Sequence, residues 1–190
     1  MEITITPLPP YRAQWVSDNH NVNRIPIHVR LNLQSAPINI PSYHSIATLP
    51  YLRACIDECL RIQPASTQGF PRVVLKGGRM IAGKFVEEGV TVSVPTYTLL
   101  QDPTAFNDPF TFNPDRWLSG DKKLHAAFYP FIHGPRACIG RNISYFEQAL
   151  AVATMVKMFD IKMFNELVTI EHFNGNPEEL FGKIRRREFA

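Results

Sequence analysis

One loop pattern constrains this chain more than any other feature of its sequence. Residues 131–141 read FIHGPRACIGR and place a single cysteine, Cys138, between two glycines, just before a long apolar helical pattern. Gly134 allows the loop to turn with positive φ, and Gly140 lets the following helix approach a flat ligand closely. We expect that helix to begin near Asn142, where backbone N–H groups and the helix dipole stabilise an anionic sulfur. The pattern therefore predicts a loop that presents a thiolate.

Two more positions complete the pattern F-x-x-G-x-R-x-C-x-G. Arg136 carries a permanent positive charge with forked donors that suit a carboxylate, and Phe131 can shield the sulfur from water. A free cysteine in a turn is the common interpretation of a lone cysteine, but here five fixed positions agree. The combination resembles the cysteine-ligand loop of the cytochrome P450 superfamily, the haem-thiolate monooxygenases. Within it, the residues around the cysteine most resemble fungal microsomal members, including the benzoate para-hydroxylase group.

This resemblance implies a cofactor and the residues that hold it. In the family the cysteine binds haem iron axially and pushes electron density that favours O–O cleavage. The resemblance thus implies that Cys138 is the axial ligand of haem b, iron protoporphyrin IX, and that Arg136 pairs with a haem propionate. Phe131, Gly134 and Gly140 would shape the loop around the cofactor. The implied fold is mainly α with small antiparallel β-sheets, as in the C-terminal part of the cytochrome P450 fold.

A second motif lies on a helix upstream of the loop. Apolar residues recur at three- and four-residue intervals from residue 50 until Pro64 stops the pattern. On this helix Glu58 and Arg61 are three residues apart, a spacing that usually means a solvated ion pair. The resemblance favours a different role, because the family's E-x-x-R pair joins a downstream arginine, matched here by Arg116, in a structural triad. A buried carboxylate between two guanidiniums is costly to break from one side.

Two other cysteines, Cys55 and Cys59, lie one turn apart on the same helix. A metal pair is conceivable there, but no second cysteine or histidine pair completes a four-ligand zinc site. We therefore expect both to be buried core cysteines. The histidines add no ligand set either: His133 lies on the same side of a haem as Cys138, so it is excluded as a second axial ligand. The other histidines are expected at the surface: His20, His28, His44, His125 and His172.

The segment between the two motifs predicts strands and a short helix. Apolar and β-branched runs at residues 72–75, 80–82 and 90–94, separated by glycine turns, predict a small antiparallel sheet. Arg72 matches a family position that often reaches a haem propionate, and a solvated strand arginine has equal weight. Residues 97–105 predict a short helix before a proline-rich meander. Here the chain has Leu100, Gln101 and Asp102 where the family commonly has His-Arg-Asp, so one polar anchor near the haem edge is in doubt.

Composition sets outer bounds on the kind of protein. The chain has 190 residues and a formal net charge of +3, too weak a charge to indicate nucleic-acid binding. Three cysteines without a secretory signal suggest reduced thiols, and no apolar run reaches the roughly 18 residues that span a bilayer. Recurring prolines make residues 1–44 an atypical lead-in with no family match, apart from a strand-like run at 27–33. Residues 45–190 form the predicted C-terminal haem-binding part of a cytochrome P450 domain.

At the other end of the chain, short strands are expected at residues 161–164 and 168–170, and a basic run at residues 183–187 suggests a solvated strand edge. The lead-in contains no counterpart of the family's central helix, with its acid or amide next to a threonine that handles protons. We therefore expect a truncated member of the family, with no catalytic residue of the oxygen-activating helix in this chain.

The resemblance also implies partners and a location. An intact relative takes electrons from an NADPH-dependent reductase, oxidises a small organic substrate and lies on the cytosolic face of the endoplasmic reticulum membrane. Lys122, Lys123 and Arg141 are candidate docking charges for that reductase. Three alternatives stay open: a haem-binding fragment without oxygenase activity, a haem-thiolate isomerase or dehydratase, and a zinc or scaffold module built on Cys55 and Cys59.

Overall fold

The computed structural model describes residues 41–163, 169–170, 176–177 and 182–186. The predictions for residues 1–40, including the strand-like run and two of the histidines, lie outside the described residues, as do His172, Phe164, Val168 and Arg187. The helices of the described part are α1 (Tyr43–Ile46), α2 (Pro50–Ile62), α3 (Thr96–Leu100), α4 (Lys122–Ala126) and α5 (Arg141–Met158). Two short 3-10 helices, Pro114–Leu118 and Gly134–Arg136, lie between them.

The two long helices follow their sequence signals closely. Pro50 occupies the first turn of α2, where its missing N–H costs no hydrogen bond, and the helix ends two residues before Pro64. The last backbone donor, the N–H of Gln63, reaches the carbonyl of Cys59 at 2.8 Å. Helix α5 begins at Arg141, one residue before the expected start. The predicted helix after residue 97 is shorter than expected, because α3 ends at Leu100 and turns follow.

The strands are β1 (Arg72–Val73), β2 (Arg79–Ile81), β3 (Lys84–Val86), β4 (Thr91–Val92), β5 (Phe159–Met163), β6 (Thr169–Ile170), β7 (Asn176–Pro177) and β8 (Gly182–Arg186). All pairings are antiparallel and form separate two-stranded ladders, β1 with β4, β2 with β3, β5 with β8 and β6 with β7. At the chain's end, the basic run contributes β8, whose Arg185 side chain lies 3.6 Å from the Asp160 carboxylate in an exposed ion pair.

Of the three runs expected in one small antiparallel sheet, the first and third pair with each other as β1 and β4, but the second does not join them. The run at residues 80–82 instead pairs with β3, which the sequence analysis missed, in a tight hairpin of its own. The two residues at its tip, Ala82 and Gly83, both have positive φ, at 49° and 77°. Two such residues are what a two-residue hairpin turn with primed geometry requires. The signal was hidden because alanine rarely takes this conformation, so the pair reads as strand and not as a turn.

Helix α2 lies between two apolar clusters. The first joins α1, α2 and α5 through Ile46, Leu52, Ile56, Tyr145, Ala149 and Ala153. The second joins α2 to α3, the first 3-10 helix and α4 through Ala54, Leu100, Phe106, Trp117 and Leu124. Because neighbouring positions of a helix face different directions, α2 supplies both clusters and connects the two halves of the described structure.

Candidate cofactor site

The cysteine loop is closed by a hydrogen bond between its two ends. The backbone N–H of Cys138 donates to the carbonyl of Phe131 at 2.9 Å, and between them Gly134–Arg136 forms a turn of 3-10 helix. Gly134 has a φ of +80°, and a Cβ placed there would meet no atom within 4 Å. A glycine is therefore required at position 134 by the backbone conformation and not by crowding. The result is a compact loop that ends with the Cys138 side chain exposed.

A strained residue lies at the start of this loop. Ile132 has a φ of +59°, although a β-branched side chain is strongly disfavoured there. Its N–H donates to the carbonyl of Tyr129 at 3.2 Å, so a turn precedes the loop closure. Strain of this kind costs about 1–3 kcal/mol and persists where surrounding contacts hold the backbone. No feature of the sequence pointed to Ile132, because isoleucine predicts extended backbone.

Helix α5 continues directly from the cysteine. The N–H of Arg141 lies 3.4 Å from the carbonyl of Cys138, and Gly140 is the residue before the first helical turn. Gly140 has a φ of −79°, which any residue adopts, and a Cβ built there would lie 3.8 Å from the cysteine sulfur in ordinary contact. The small size of Gly140 therefore keeps the surface beside the sulfur open.

The residues next to Cys138 in the chain are mostly apolar and exposed, with one cation, Arg136, on the same loop. Ile139 is fully exposed and Ile143, one turn into α5, is 63% exposed. Arg136 is exposed on the loop, and its neighbour Ala137 is exposed as well. A soft sulfur donor, an apolar face and a guanidinium for carboxylates form the donor set that a flat, anionic, thiolate-ligated iron cofactor requires. The residues present fit such a group.

Arg72 borders a cavity of about 540 Å³ that the cysteine loop also lines. On the loop side the cavity is lined by Tyr129, Ile132 and His133. The rings of Tyr129 and His133 meet edge to face, with 4.5 Å between their centroids. Arg72 itself is exposed, and its Nη1 donates to the carbonyl of Pro71 at 2.9 Å. The structure thus brings Arg72 to the same cavity as the loop and leaves its side chain in solvent.

Phe131, the first residue of the loop, packs against the core. Its ring packs against that of Tyr145 of α5, with 5.1 Å between centroids, and it is partly buried at the edge of the first core cluster. In this position Phe131 anchors the loop to the core, while the sulfur of Cys138 stays exposed. The shielding of the sulfur by Phe131 stays a prediction.

The expectation that Cys55 and Cys59 are buried was wrong. Cys59 is exposed and Cys55 only partly buried, because both lie beside the apolar positions of α2 and not among them. Partial desolvation and the nearby Glu58 raise the pKa of the Cys59 thiol to about 11, which disfavours the thiolate that a metal needs. Within the described residues, no group of three or more His, Cys, Asp or Glu side chains could hold a metal ion.

Glu58 is the centre of a buried ion cluster. Arg61 donates to both of its oxygens, from Nε and Nη2, each at 2.9 Å, and neither side chain is exposed to solvent. The Nε of Arg116 lies 3.2 Å from Glu58 Oε1. The indole N–H of Trp117 and the backbone N–H of Asn113 also donate to Glu58, each at 2.9 Å. The structure brings the three predicted residues together and adds two donors that the sequence analysis did not find.

The two arginines tie a long irregular segment to α2. This segment, residues 101–113, is called the meander below. Arg61 donates to the carbonyls of Leu100 (2.9 Å), Pro109 (2.7 Å) and Thr111 (3.4 Å). Arg116 donates to those of Asn107 (2.7 Å), Asp108 (3.4 Å) and Thr111 (3.3 Å). Because this segment has no helix or sheet to bond its carbonyls, these guanidiniums supply the donors instead.

Gln101 is a polar anchor of the meander. It is buried, its Nε2 donates to the carbonyl of Ile62 at 3.2 Å, and its Oε1 accepts from Arg61 Nη1 at 3.3 Å. The glutamine therefore binds the C-terminal end of α2 and fixes the start of the meander. At this departure from His-Arg-Asp, Gln101 supplies a donor to the end of α2.

A second polar link joins α2 to α5. Asp57 accepts from the Tyr145 hydroxyl at 2.9 Å and from Arg53 Nε at 2.8 Å. The Arg53 guanidinium lies 3.6 Å from the centre of the Tyr145 ring, a cation–π contact. Burial and the Asp57 carboxylate raise the pKa of Tyr145 well above its ordinary value, so it remains a donor. No sequence signal points to this link beyond the apolar spacing of the two helices.

The remaining candidate residues lie at the surface. The docking candidates Lys122, Lys123 and Arg141 are exposed, as are His44, His125 and His133. Over the residues described, no helix has the length and apolar content to cross a membrane.

Comparison with known proteins gives consistent matches. Residues 32–182 match the sequence family Cytochrome P450. A cytochrome P450 monooxygenase of Gibberella zeae is 41% identical over 112 residues, covering 59% of this chain and 26% of that protein. Cytochrome P450 monooxygenase tpeC of Talaromyces stipitatus is 42% identical over 123 residues, covering 63% of this chain and 24% of that protein. The chain thus spans about a quarter of the length of these relatives.

Solved structures share the fold. A cytochrome P450 named CYP102L1 matches with a TM-score of 0.71 and 26% identity, over 84% of this chain and 37% of that one. A zebrafish cytochrome P450 with abiraterone matches with a TM-score of 0.73 and 25% identity, over 86% of this chain and 39% of that one. The mainly α architecture with small antiparallel sheets is therefore the one predicted.

Proposed function

The chain belongs to the cytochrome P450 family, and from this we propose that it carries the cofactor loop of a haem-thiolate monooxygenase. The observation that carries the proposal is the exposed sulfur of Cys138, at the end of a loop closed on Phe131 and directly before α5. The chain spans about a quarter of the length of its relatives. The activity, substrate and partners of a whole monooxygenase are therefore part of the same proposal.

Each residue of the site has a role in binding the cofactor. Cys138 supplies the sulfur ligand, and it lies directly before the N-terminus of α5. Arg136, together with Arg72, would neutralise the two propionates. Gly140 leaves room beside the sulfur for the ring, and the exposed Ile139 offers it an apolar side chain. When bound, haem b supplies the oxygen-activating chemistry, and the protein supplies ligation, orientation and electrostatics.

The buried cluster around Glu58 holds the framework behind this loop. It fixes the meander to α2, and α2 packs on α5, which begins at the cysteine loop. In this proposal the E-x-x-R residues have a structural role and touch neither cofactor nor substrate.

An electron donor and a substrate complete the reaction. We infer an NADPH-dependent reductase that docks on exposed cations, of which Lys122, Lys123 and Arg141 are the candidates. The substrate class is a small organic molecule, and the family setting is the cytosolic face of the endoplasmic reticulum membrane. Reversing the three charges should slow reductase-dependent reduction at low salt and leave cofactor affinity unchanged.

The test is NADPH-dependent oxygen consumption by the haem-loaded chain with a fungal P450 reductase. The proposal predicts haem uptake and reductase-dependent NADPH oxidation in the wild type and in Cys59→Ala, and neither in Cys138→Ala. Haem uptake without NADPH oxidation would overturn oxygenase activity in this chain and favour a haem-binding chain without such activity. Equal haem uptake by Cys138→Ala would overturn the cysteine assignment itself.

A further inference from the structure

The cysteine loop and the E-x-x-R helix are joined by a continuous set of contacts. Cys138 donates its backbone N–H to the carbonyl of Phe131, and the Phe131 ring packs on Tyr145. The Tyr145 hydroxyl donates to Asp57, which also binds Arg53. None of these contacts belongs to the ion cluster around Glu58, so they form a second and separate connection between α2 and the cofactor loop.

The Tyr145 ring is held firmly in this arrangement. It is 8% exposed, so the hydroxyl has little access to water and depends on Asp57 as its acceptor. The guanidinium of Arg53 covers the ring at 3.6 Å and is itself bonded to the same carboxylate at 2.8 Å. With its hydroxyl and its ring both bonded, Tyr145 presents a fixed surface to Phe131.

A fixed support matters because the loop is strained. Ile132, next to Phe131, has a φ of +59°, a conformation that relaxes unless its surroundings hold it. The carbonyl that closes the loop on Cys138 belongs to Phe131, so movement of this residue would move the cysteine. The contact between Phe131 and Tyr145 is therefore well placed to maintain the loop.

We propose that Tyr145, oriented by Asp57 and Arg53, is a positioning residue for the Cys138 loop. It touches neither sulfur nor cofactor and acts through Phe131. Its effect on the loop is independent of the proposed function, whereas its effect on thiolate ligation rests on that function.

The test compares Tyr145→Phe with Tyr43→Phe in the complete chain. Tyr43 is a matched control because its ring also packs on a phenylalanine, Phe146, 4.7 Å away, but it is partly exposed on α1. Amide hydrogen exchange is measured at Cys138 and at Ala149, which lies further along α5. Tyr145→Phe should raise the exchange rate of the Cys138 amide at least about tenfold, the lower end of the effect of losing one hydrogen bond to a charged group, while Ala149 changes little. Tyr43→Phe should leave both rates near those of the wild type.

A second variant keeps the proposal testable if Tyr145→Phe is generally destabilised. Asp57→Asn retains a carbonyl acceptor for the hydroxyl, so it should disturb the Cys138 amide less than Asp57→Ala does. The double variant with Tyr145→Phe and Asp57→Ala should show less than the product of the single effects, since both remove the same bond. Equal acceleration at Cys138 and Ala149 in the Asp57 variants as well as in Tyr145→Phe, or no change at Cys138, would overturn the positioning role.

The haem-loaded chain provides a separate readout. Tyr145→Phe should shift the reduced, carbon monoxide-bound spectrum from the thiolate-ligated form towards the thiol-ligated form, while total haem bound stays the same. A changed Cys138 amide in a chain that binds no haem would contradict the proposed function and leave the positioning role standing. An unchanged spectrum together with an unchanged amide would contradict the positioning role alone.

Discussion

Asp57 and Glu58 are consecutive residues of α2, and their buried carboxylates bind two different parts of the chain. Glu58 holds the end of the meander through a backbone donor and the 3-10 helix after it through arginine and tryptophan donors, whereas Asp57 holds α5 through a tyrosine. One turn of one helix therefore fixes both the irregular segment that precedes the cysteine loop and the helix that follows it.

Replacing Glu58 should be among the most destabilising changes in the chain. Glu58→Gln leaves two buried guanidiniums without a counter-charge, and we expect a loss of about 3–5 kcal/mol in the free energy of unfolding. Urea denaturation followed by circular dichroism measures it. The control is Glu87→Gln, which replaces an exposed carboxylate directly after β3 and should change stability by less than about 0.5 kcal/mol. Similar midpoints for the two variants would contradict the buried cluster.

Replacing Gln101 should destabilise the start of the meander. Gln101→Leu keeps the volume but removes the donor to Ile62 and one acceptor of Arg61, so a cost of about 1–3 kcal/mol is expected. The exposed Gln68 provides a matched Gln68→Leu control. If both leucine variants unfold at the same urea concentration as the wild type, Gln101 is not an anchor.

Replacing the two loop glycines should affect different properties, stability at Gly134 and haem binding at Gly140. Gly134→Ala forces a side chain into positive φ and should cost about 1–2 kcal/mol without any clash. Gly140→Ala, at a φ of −79°, should leave stability within about 0.5 kcal/mol but weaken haem binding, because its methyl group occupies the surface beside the sulfur. Thermal melting and haem titration separate the two effects. Unimpaired haem binding by Gly140→Ala would contradict the role given to that surface.

Tyr145 should resist ionisation at alkaline pH. Its pKa is raised in the folded chain by burial and by Asp57, so the folded state holds the phenol proton more tightly than the unfolded state. Its contribution to stability is therefore complete below the ordinary tyrosine pKa of about 10 and declines as the pH rises above that value. Ultraviolet titration should find the same number of phenols ionising near pH 10 in the wild type and in Tyr145→Phe. One phenol fewer in the variant would contradict the shift.

Much of the fold could be predicted because its signals are local. Prolines mark both ends of α2, and apolar spacing identifies α2 and α5. The cysteine loop was identified from its spacing of glycine, arginine and cysteine. The hairpin at Ala82 was missed because its turn uses a residue that rarely has positive φ. The prediction that Cys59 is buried was wrong, because helical periodicity does not show which edge of an apolar stripe is covered by neighbouring elements.

The polar links were harder to predict for a different reason. Tyr145 and Asp57 are 88 residues apart, and nothing in either local sequence identifies the partner. Trp117 and Asn113 likewise meet Glu58 only through the path of the meander. A resemblance to a family can suggest that Arg116 belongs with Glu58, but bonds formed by residues outside the family's motifs appear only in three dimensions.

The reduced spectrum with carbon monoxide, recorded after haem reconstitution, tests the central claim most directly. We predict a strongly red-shifted Soret band for the wild-type chain and for Cys59→Ala, whose replaced cysteine is also exposed, and no such band for Cys138→Ala. A red-shifted band that survives in Cys138→Ala, or a haem-loaded wild type without the shift, would contradict the assignment of Cys138 as the thiolate ligand.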